Sequence, residues 1–463
     1  MLTVEKIGGS SMSKFDKVLK NIIIGRRKGA ELYGRIFVVS AYNNVTNWLL
    51  EHKKSGEPGV YTLFEQMGDF KGAMEVLLEK LIRLNREFEH VGLEQEKADE
   101  FIRARMGQAL NYLNSMADVL GSGYVNRSNI LLAAREILAS IGEAHSAFNS
   151  VNILQNSGVN ALFIDLCGFN DPGFLTIDER IHNAFSGLDF DTIMPVATGY
   201  TKGTEGIMRE FDRGYSEVTF SKIAVEVKAD EAIIHKEFHL SSADPNIVGL
   251  EKSLPVGFTN FNVADQLADV GMEAIHPKAS KPLEMAGINI RVKNTFEPDH
   301  PGTLISRDYI EKDARVEIIT GSDKVVAIEV HDPVMVGSVG FDKGIMDIFE
   351  RYKVSYILKS TNANSITQVI WEHDRSEQLI GELRSRYQRV TELHCALVCA
   401  LGTNVSRPGI VARATTALAE KGINISALSQ SLMQVNIQFV IPRESYRDAV
   451  IALNDALCFK QKQ

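Results

Sequence analysis

Apolar positions follow two rhythms along the chain. Over roughly the first 300 residues, short β-branched runs alternate with stretches of helical period. The run at residues 4–7 ends in Lys6-Ile7-Gly8-Gly9. Beyond it Phe15, Val18, Leu19, Ile22 and Ile23 fall at i, i+3, i+4, i+7 and i+8, one apolar stripe of a helix. Ser13 with Asp16 predicts that helix's start, and Arg26-Arg27-Lys28-Gly29 its cationic, glycine-closed end. Residues 35–41, 161–165, 192–200, 232–235 and 288–294 read as buried strands. Residues 211–227, 262–271 and 279–286 read as helices. Between Pro58 and Pro172 there are 113 residues without proline, and their period is helical. Alternating strands and helices predict an α/β sandwich with a largely parallel sheet.

After Pro301-Gly302-Thr303 the rhythm changes. Two segments repeat one plan of strand, Gly-apolar helix start, helix, strand, strand. The first runs from Val325 through Gly340-Phe341 to residues 354–358 and 365–370. The second runs from Cys395 through Gly409-Ile410 to residues 423–428 and 436–441. Gly340 and Gly409 each precede an apolar β-branched residue, Val354 and Ile423, by fourteen positions. A βαββ pair of this kind either binds a small ligand between modules or dimerises.

Composition narrows the class. At 463 residues the chain exceeds a single core, so two to four domains are expected. A net charge of −9 argues against nucleic acid or an anionic membrane as partner. No apolar run reaches the roughly 18–20 residues of a membrane span. The N-terminus lacks a basic-then-apolar leader pattern. The four cysteines, Cys167, Cys395, Cys399 and Cys458, form no CxxC, which predicts a reduced, cytoplasmic protein without a cysteine metal site.

Candidate chemistry begins at Lys6. A strand, a Gly-Gly turn and a helix N-terminus point amides and helix dipole at one place, which suits a phosphate, with Lys6 at its lip. The lysine precedes the glycines, so this is neither a Walker A loop nor GxGxxG. The plainer alternative is a tight turn with a surface lysine. Ser40, Asn43, Asn44, Thr46 and Asn47 follow a strand C-terminus, where α/β sheets place ligands; equally, they could satisfy their own turn. Glu143 lies in a weakly polar helix between Ile141 and Phe148, either exposed or aimed at a ligand cation.

Together these stretches resemble the aspartate kinases of the amino-acid kinase family. Lys6-Ile7-Gly8-Gly9-Ser10-Ser11 resembles KFGGTS. Residues 40–47 resemble SAxxGVTN, and Ala139-Ser140-Ile141-Gly142-Glu143 resembles the helix carrying a substrate-binding glutamate. His276-Pro277-Lys278 and residues 291–303 resemble HPR and RVKNTFxPxxPGT. The likeness covers nearly the whole chain and is nearest the divergent branch associated with ectoine synthesis. It implies a three-layer α/β kinase sandwich over 1–310, with a helical region at about 60–155, then two βαββ-type ACT domains (α+β) at 316–388 and 389–463.

The resemblance further implies an enzyme that phosphorylates the side-chain carboxylate of L-aspartate from ATP with Mg²⁺, the ion held mainly by the nucleotide phosphates and not by protein ligands. Lys6, Gly8, Gly9 and Glu217 would be catalytic. Ser40, Thr46, Glu143, Arg213 and Ser216 would bind aspartate. Ser10, Lys236, Glu237, Ser242, Asp244 and Lys278 would bind the nucleotide. Ser338, Met346, Phe349, Asn424, Ile425, Gln430 and Gln438 would meet an amino-acid effector, and the ACT domains would build a homodimer or larger homo-oligomer. The sequence departs from the pattern inside the site. In Asp212-Arg213-Gly214-Tyr215-Ser216-Glu217, Tyr215 replaces a glycine and Glu217 the usual aspartate. Asn246 and Glu273 replace an arginine and a lysine. Two rivals follow: a related kinase with another acceptor, and a non-catalytic ACT-type sensor with a decayed kinase domain.

Overall fold

The structure is a computed structural model that describes residues 1–52, 55–171, 173–211, 214–272, 274–373 and 375–459. The chain divides into two units, Met1–His239 with Ile275–Leu304, and Leu240–Ala274 with Ile305–Gln463.

The first unit is built on six parallel strands: β1 (Thr3–Ile7), β2 (Arg35–Val39), β3 (Ala161–Ile164), β4 (Met194–Thr198), β5 (Glu231–Lys236) and β6 (Asn289–Asn294), in the order β3-β4-β2-β1-β5-β6. Burial of β2 and β4 at every position explains their unbroken apolar runs. The proline-free stretch forms α1 (Phe70–Glu87), α2 (Gln95–Ser122) and α3 (Arg127–Asn156). α3 packs on β2, β3 and β4, while α4 (Tyr215–Glu226) packs on β1, β2 and β5 and against α5 (Pro277–Ala286).

Alternation along β1 turns Lys6 and Glu5 to opposite faces. Glu5 is 3 % exposed and takes a two-point contact from Arg35, with Nε–Oε1 2.7 Å and Nη2–Oε2 3.1 Å, plus the His235 ring at 2.7 Å. Arg35 also donates to the carbonyls of Ile22 and Ile23, which fastens the segment after the Gly-Gly turn beneath the sheet. Burial pushes the Glu5 carboxyl up, but Arg35 and His235 outweigh it and hold it far below the usual range. Removing one partner strands a buried charge. Arg35→Met is therefore expected to cost about 3–5 kcal/mol, read as a lower urea midpoint by circular dichroism; an unchanged midpoint would refute this.

The helix expected from Ser13 starts earlier and is broken. Gly9–Met12 is already helical, Phe15–Val18 follows, and Leu19–Ile23 widens to a π-type turn. The Ser13 hydroxyl does not cap. It accepts from the Asn43 amide at 2.8 Å and donates to the Gly9 carbonyl at 3.3 Å, so it is used to join two loops. The apolar stripe is in place, with Phe15, Val18, Ile22 and Ile23 buried.

The second unit carries a six-stranded antiparallel sheet: β7 (Ile318–His331), β8 (Leu358–Thr361), β9 (Ser365–Trp371), β10 (Arg389–Leu401), β11 (Ala427–Gln430) and β12 (Asn436–Pro442), in the order β8-β9-β7-β10-β12-β11. The repeat is present, and each copy is larger than βαββ. Besides α6 (Phe341–Tyr352) and α8 (Ile410–Glu420), each has a second helix, α7 (Arg375–Arg386) and α9 (Tyr446–Leu453). Each also gains a fourth strand from the other's long strand. Residues 325–331 of β7 pair with 395–389 of β10, whereas 318–322 pair with 401–397, with a register shift between Cys395 and Leu397. Two separate cores follow the same division: Val326, Ile328 and Val330 pack with Ile345 and Leu379, while Ile319 packs with Val398, Leu418 and Leu453. The strand completing the second module thus lies upstream of the first. Gly340 and Gly409 open α6 and α8 at φ of 83° and 90°, a left-handed geometry that explains their matched positions. All four cysteines are buried thiols. Among the described residues no helix is long and apolar enough to cross a membrane.

Candidate functional site

The site forms at the C-terminal ends of β1, β2, β4 and β5, where parallel strands leave polar loops. β1 runs into Gly8-Gly9, and a Cβ at position 9 would lie 2.5 Å from the Ala41 carbonyl oxygen, so only glycine fits there. The helical turn from Gly9 then presents first-turn amides that have no acceptor within the helix.

Lys6 leaves β1 toward α4. Its ammonium lies 3.0 Å from Glu217 Oε1, and Glu217 Oε2 accepts the His276 backbone N–H at 2.6 Å. Burial pushes the Glu217 carboxyl up, but Lys6, Lys236 and the His276 bond outweigh it and hold it at about 2. Glu217 is thus ionised with two ammonium groups facing it, an excess of positive charge beside the Gly-Gly turn.

Glu143, on α3, is 2 % exposed. Its Oε1 accepts from the Ser216 hydroxyl at 2.7 Å, and its Oε2 has no partner among the described residues. Burial raises this carboxyl to about 8 against the opposing pull of Ser216, Lys6 and the nearby Ala41 backbone N–H. The inward alternative for Glu143 is the observed one. Ser40 follows β2 directly; its amide donates to the Ile7 carbonyl and its carbonyl accepts from Ser146 of α3. Thr46 sits half-buried in the short helix Val45–Leu49, whose N-cap Asn44 has φ of 66°. Asparagine tolerates that left-handed geometry better than most residues, which accounts for it in a slot the resemblance gives to glycine.

The structure thus gathers Lys6, Gly8, Gly9, Glu143, Ser216, Glu217 and Lys236. Arg213 lies outside the described residues. Ser10 is exposed at the first helical turn, and Glu237 is half-buried just beyond β5. Lys278, exposed on α5, donates to the Glu210 carbonyl at 2.8 Å and lies 5.1 Å from the Phe211 ring centroid. Ser242 and Asp244 belong to the second unit. There Ser242 is 2 % exposed, with its hydroxyl donating to Asn454 at 3.2 Å, and Asp244 caps the Asn246 amide at 2.8 Å.

The effector candidates are spread over both modules. Ser338 donates to the Val334 carbonyl, Phe349 is buried in the first module's core and Met346 packs on that core. Asn424 and Gln430 are exposed, Ile425 packs on the second core, and Gln438 is buried in β12 opposite Cys399. Sequence reasoning missed Glu136, seven residues before Glu143 and so on nearly the same face of α3. It also missed the His276 amide, which a side-chain motif does not display.

The amino acid kinase family profile matches residues 1–294, and an ACT domain profile matches residues 398–457. The aspartate kinase Ask_Ect of Stutzerimonas stutzeri (strain A1501) is 48 % identical, over 99 % of this chain and 97 % of that protein. The aspartokinase of Schizosaccharomyces pombe is 24 % identical over 97 % and 91 %. Among solved structures, E. coli aspartokinase III in complex with aspartate and ADP aligns with a TM-score of 0.74 at 20 % identity, covering 98 % of this chain and 99 % of that one. Clostridium acetobutylicum aspartate kinase aligns at 0.72 and 22 %, covering 98 % and 100 %. At these identities the two structures establish the fold.

Proposed function

The chain belongs to the amino acid kinase family, in its aspartate kinase branch, and from that premise we propose that it transfers the γ-phosphoryl group of ATP to the side-chain carboxylate of L-aspartate, giving 4-phospho-L-aspartate. The observation that carries this is the pairing of two environments: ionised Glu217 between Lys6 and Lys236, beside buried Glu143 with one open oxygen. The first suits a polyphosphate and the second an ammonium.

The acceptor carboxylate is already ionised at neutral pH, so attack needs no general base. Phosphoryl transfer needs alignment and charge neutralisation. Lys6 and the first-turn amides after Gly8 and Gly9 neutralise the transferring group, and Glu217 fixes the Lys6 ammonium. Glu143 Oε2 takes the α-ammonium of aspartate, with Ser216, Ser40 and Thr46 along the pocket. Arg213 is assigned the α-carboxylate because a guanidinium binds it in two-point fashion. Lys236, Glu237, Ser10 and Lys278 are assigned to the nucleotide, and Ser242 and Asp244 keep that assignment from the motif alone. Mg²⁺, held by the nucleotide phosphates and not by protein side chains, would supply charge neutralisation there when bound. The converging charges on Lys6, Glu217 and Glu143 favour this reading over a decayed kinase domain. The paired modules are assigned an amino-acid effector and self-association; exposed Val334, Val336, Val339, Leu432 and Met433 support contact with a second copy. The product would enter the aspartate pathway, with ectoine synthesis as its destination.

The test traps the acyl phosphate as a hydroxamate. Protein, MgATP and hydroxylamine are expected to give hydroxamate with L-aspartate, and none with L-glutamate or N-acetyl-L-glutamate. Parallel reactions with lysine, threonine or ectoine read the effector. No hydroxamate from folded protein with any acceptor would overturn the proposal in favour of the sensor.

A further inference from the structure

Glu136 lies two turns before Glu143 on α3 and makes two bonds that the reaction described above does not use. Its Oε2 accepts the Tyr200 hydroxyl at 2.6 Å, and its Oε1 accepts the Met208 backbone N–H at 2.8 Å. Met208 is in the first turn of the helix Ile207–Phe211, whose opening amides have no acceptor within the helix. One carboxylate therefore ties α3 to two points of the connection between β4 and α4: Tyr200 just after β4 and the helix Ile207–Phe211 before α4.

Tyr200 carries this tie to the site. It is 3 % exposed, and its ring meets the Tyr215 ring edge-on at 5.8 Å between centroids. Tyr215, itself 2 % exposed, opens α4 and is followed at once by Ser216 and Glu217. Ser216 in turn closes the circuit on Glu143. The same Tyr200 borders a cavity of about 540 Å³ shared with Glu136, Tyr112, Met116, Phe169 and Lys202. The Glu136 bond holds the hydroxyl end of the ring at the wall of this cavity, while Tyr215 meets the ring itself. Burial, with Glu136 beside it, raises the Tyr200 hydroxyl well above its ordinary range, so it stays a donor at neutral pH.

We propose that Glu136 is a positioning residue for the acceptor pocket: through Tyr200 and Tyr215 it sets where the first turn of α4 holds Ser216 against Glu143, without touching substrate itself. This rests on the aspartate kinase reading. It also gives Tyr215, one of the residues that depart from the family pattern, a role: its ring occupies the space through which Tyr200 acts.

The test compares wild type, Glu136→Leu, Tyr200→Phe and the double variant. KM for aspartate is expected to rise about tenfold in each single variant, the scale of one hydrogen bond to a charged group. kcat and KM for ATP should stay within about twofold, and the double variant should be no worse than the poorer single, since both act on one bond. An unchanged KM for aspartate in both folded single variants would overturn the proposal. So would parallel losses in kcat and in both KM values, which mark general loosening. Calorimetric titration of L-aspartate into the same four proteins reads the Kd ratios without turnover. A wild type that binds aspartate but makes no hydroxamate would sink the kinase reading and leave those ratios to decide this one. A wild type that binds no aspartate would overturn both.

Discussion

Lys6→Ala is expected to lower kcat by about 10²–10³-fold, the usual loss when one preorganised charge-stabilising group is removed from a transition state. The aspartate KM should change far less, because the acceptor's ammonium and α-carboxylate are assigned to Glu143 and Arg213. The ammonium lies 3.0 Å from Glu217 Oε1, which fixes its direction before any nucleotide arrives. The variant has a second consequence. Glu217 is mostly buried and would lose its closest counter-charge, leaving Lys236 and the His276 amide to hold it. Part of any loss could thus come from a shifted α4. Lys6→Met with Glu217→Gln separates the two, since it removes both charges and leaves no stranded carboxylate. If Lys6 acts on the phosphoryl group, the double variant should be as slow as Lys6→Ala. Recovery of the double variant to near wild-type kcat would sink the assignment and make Lys6 a structural partner of Glu217. So would a Lys6→Ala enzyme within tenfold of wild type.

The same stretch shows what a sequence displays and what it withholds. The Lys6-Gly8-Gly9 arrangement is local: strand, turn and helix start are adjacent in the chain, so its chemistry is legible in the residues themselves. The repeat in the second unit is legible for the same reason, through the matched spacing of Gly340 and Gly409. The fourth strand of each module is not, because it comes from pairing β7 with β10, and no local period encodes that register. Glu143 is ambiguous for a different reason. From Leu138 to Leu154 nearly every residue of α3 is buried, including Ser140, His145, Ser146, Asn149 and Ser150. A helix buried on all sides shows no polar face against which an inward acid would stand out. The false start at Ser13 is the converse case. A capping pattern is present, but tertiary contact with Asn43 claims the hydroxyl.

The pH dependence of aspartate binding should report Glu143. In the free protein burial holds its carboxyl at about 8, so near pH 7 roughly nine in ten molecules carry it protonated. The ionised form is the one that pairs with an ammonium, so binding below about pH 8 must release a proton. The sign follows: KM for aspartate should fall as pH rises, by at most about tenfold per unit, and level off above about pH 8. Glu217 is ionised throughout that window, and buried His145 is held neutral near 3, so neither supplies the slope. Glu143→Gln keeps the size of the side chain and an acceptor for Ser216 but cannot ionise. Losing a buried partner of a charged group costs about 2–5 kcal/mol, so its KM should exceed wild type by about 10²-fold at pH 8.5. The gap should narrow toward pH 6.5, where the wild-type carboxyl is itself protonated, and the variant's own profile should be flat. Proton release, measured by calorimetry in buffers of different ionisation enthalpy, should approach one per aspartate bound at pH 7 and vanish in the variant. A sloping profile that survives Glu143→Gln, or wild-type binding without proton release, would place the ammonium elsewhere in the pocket.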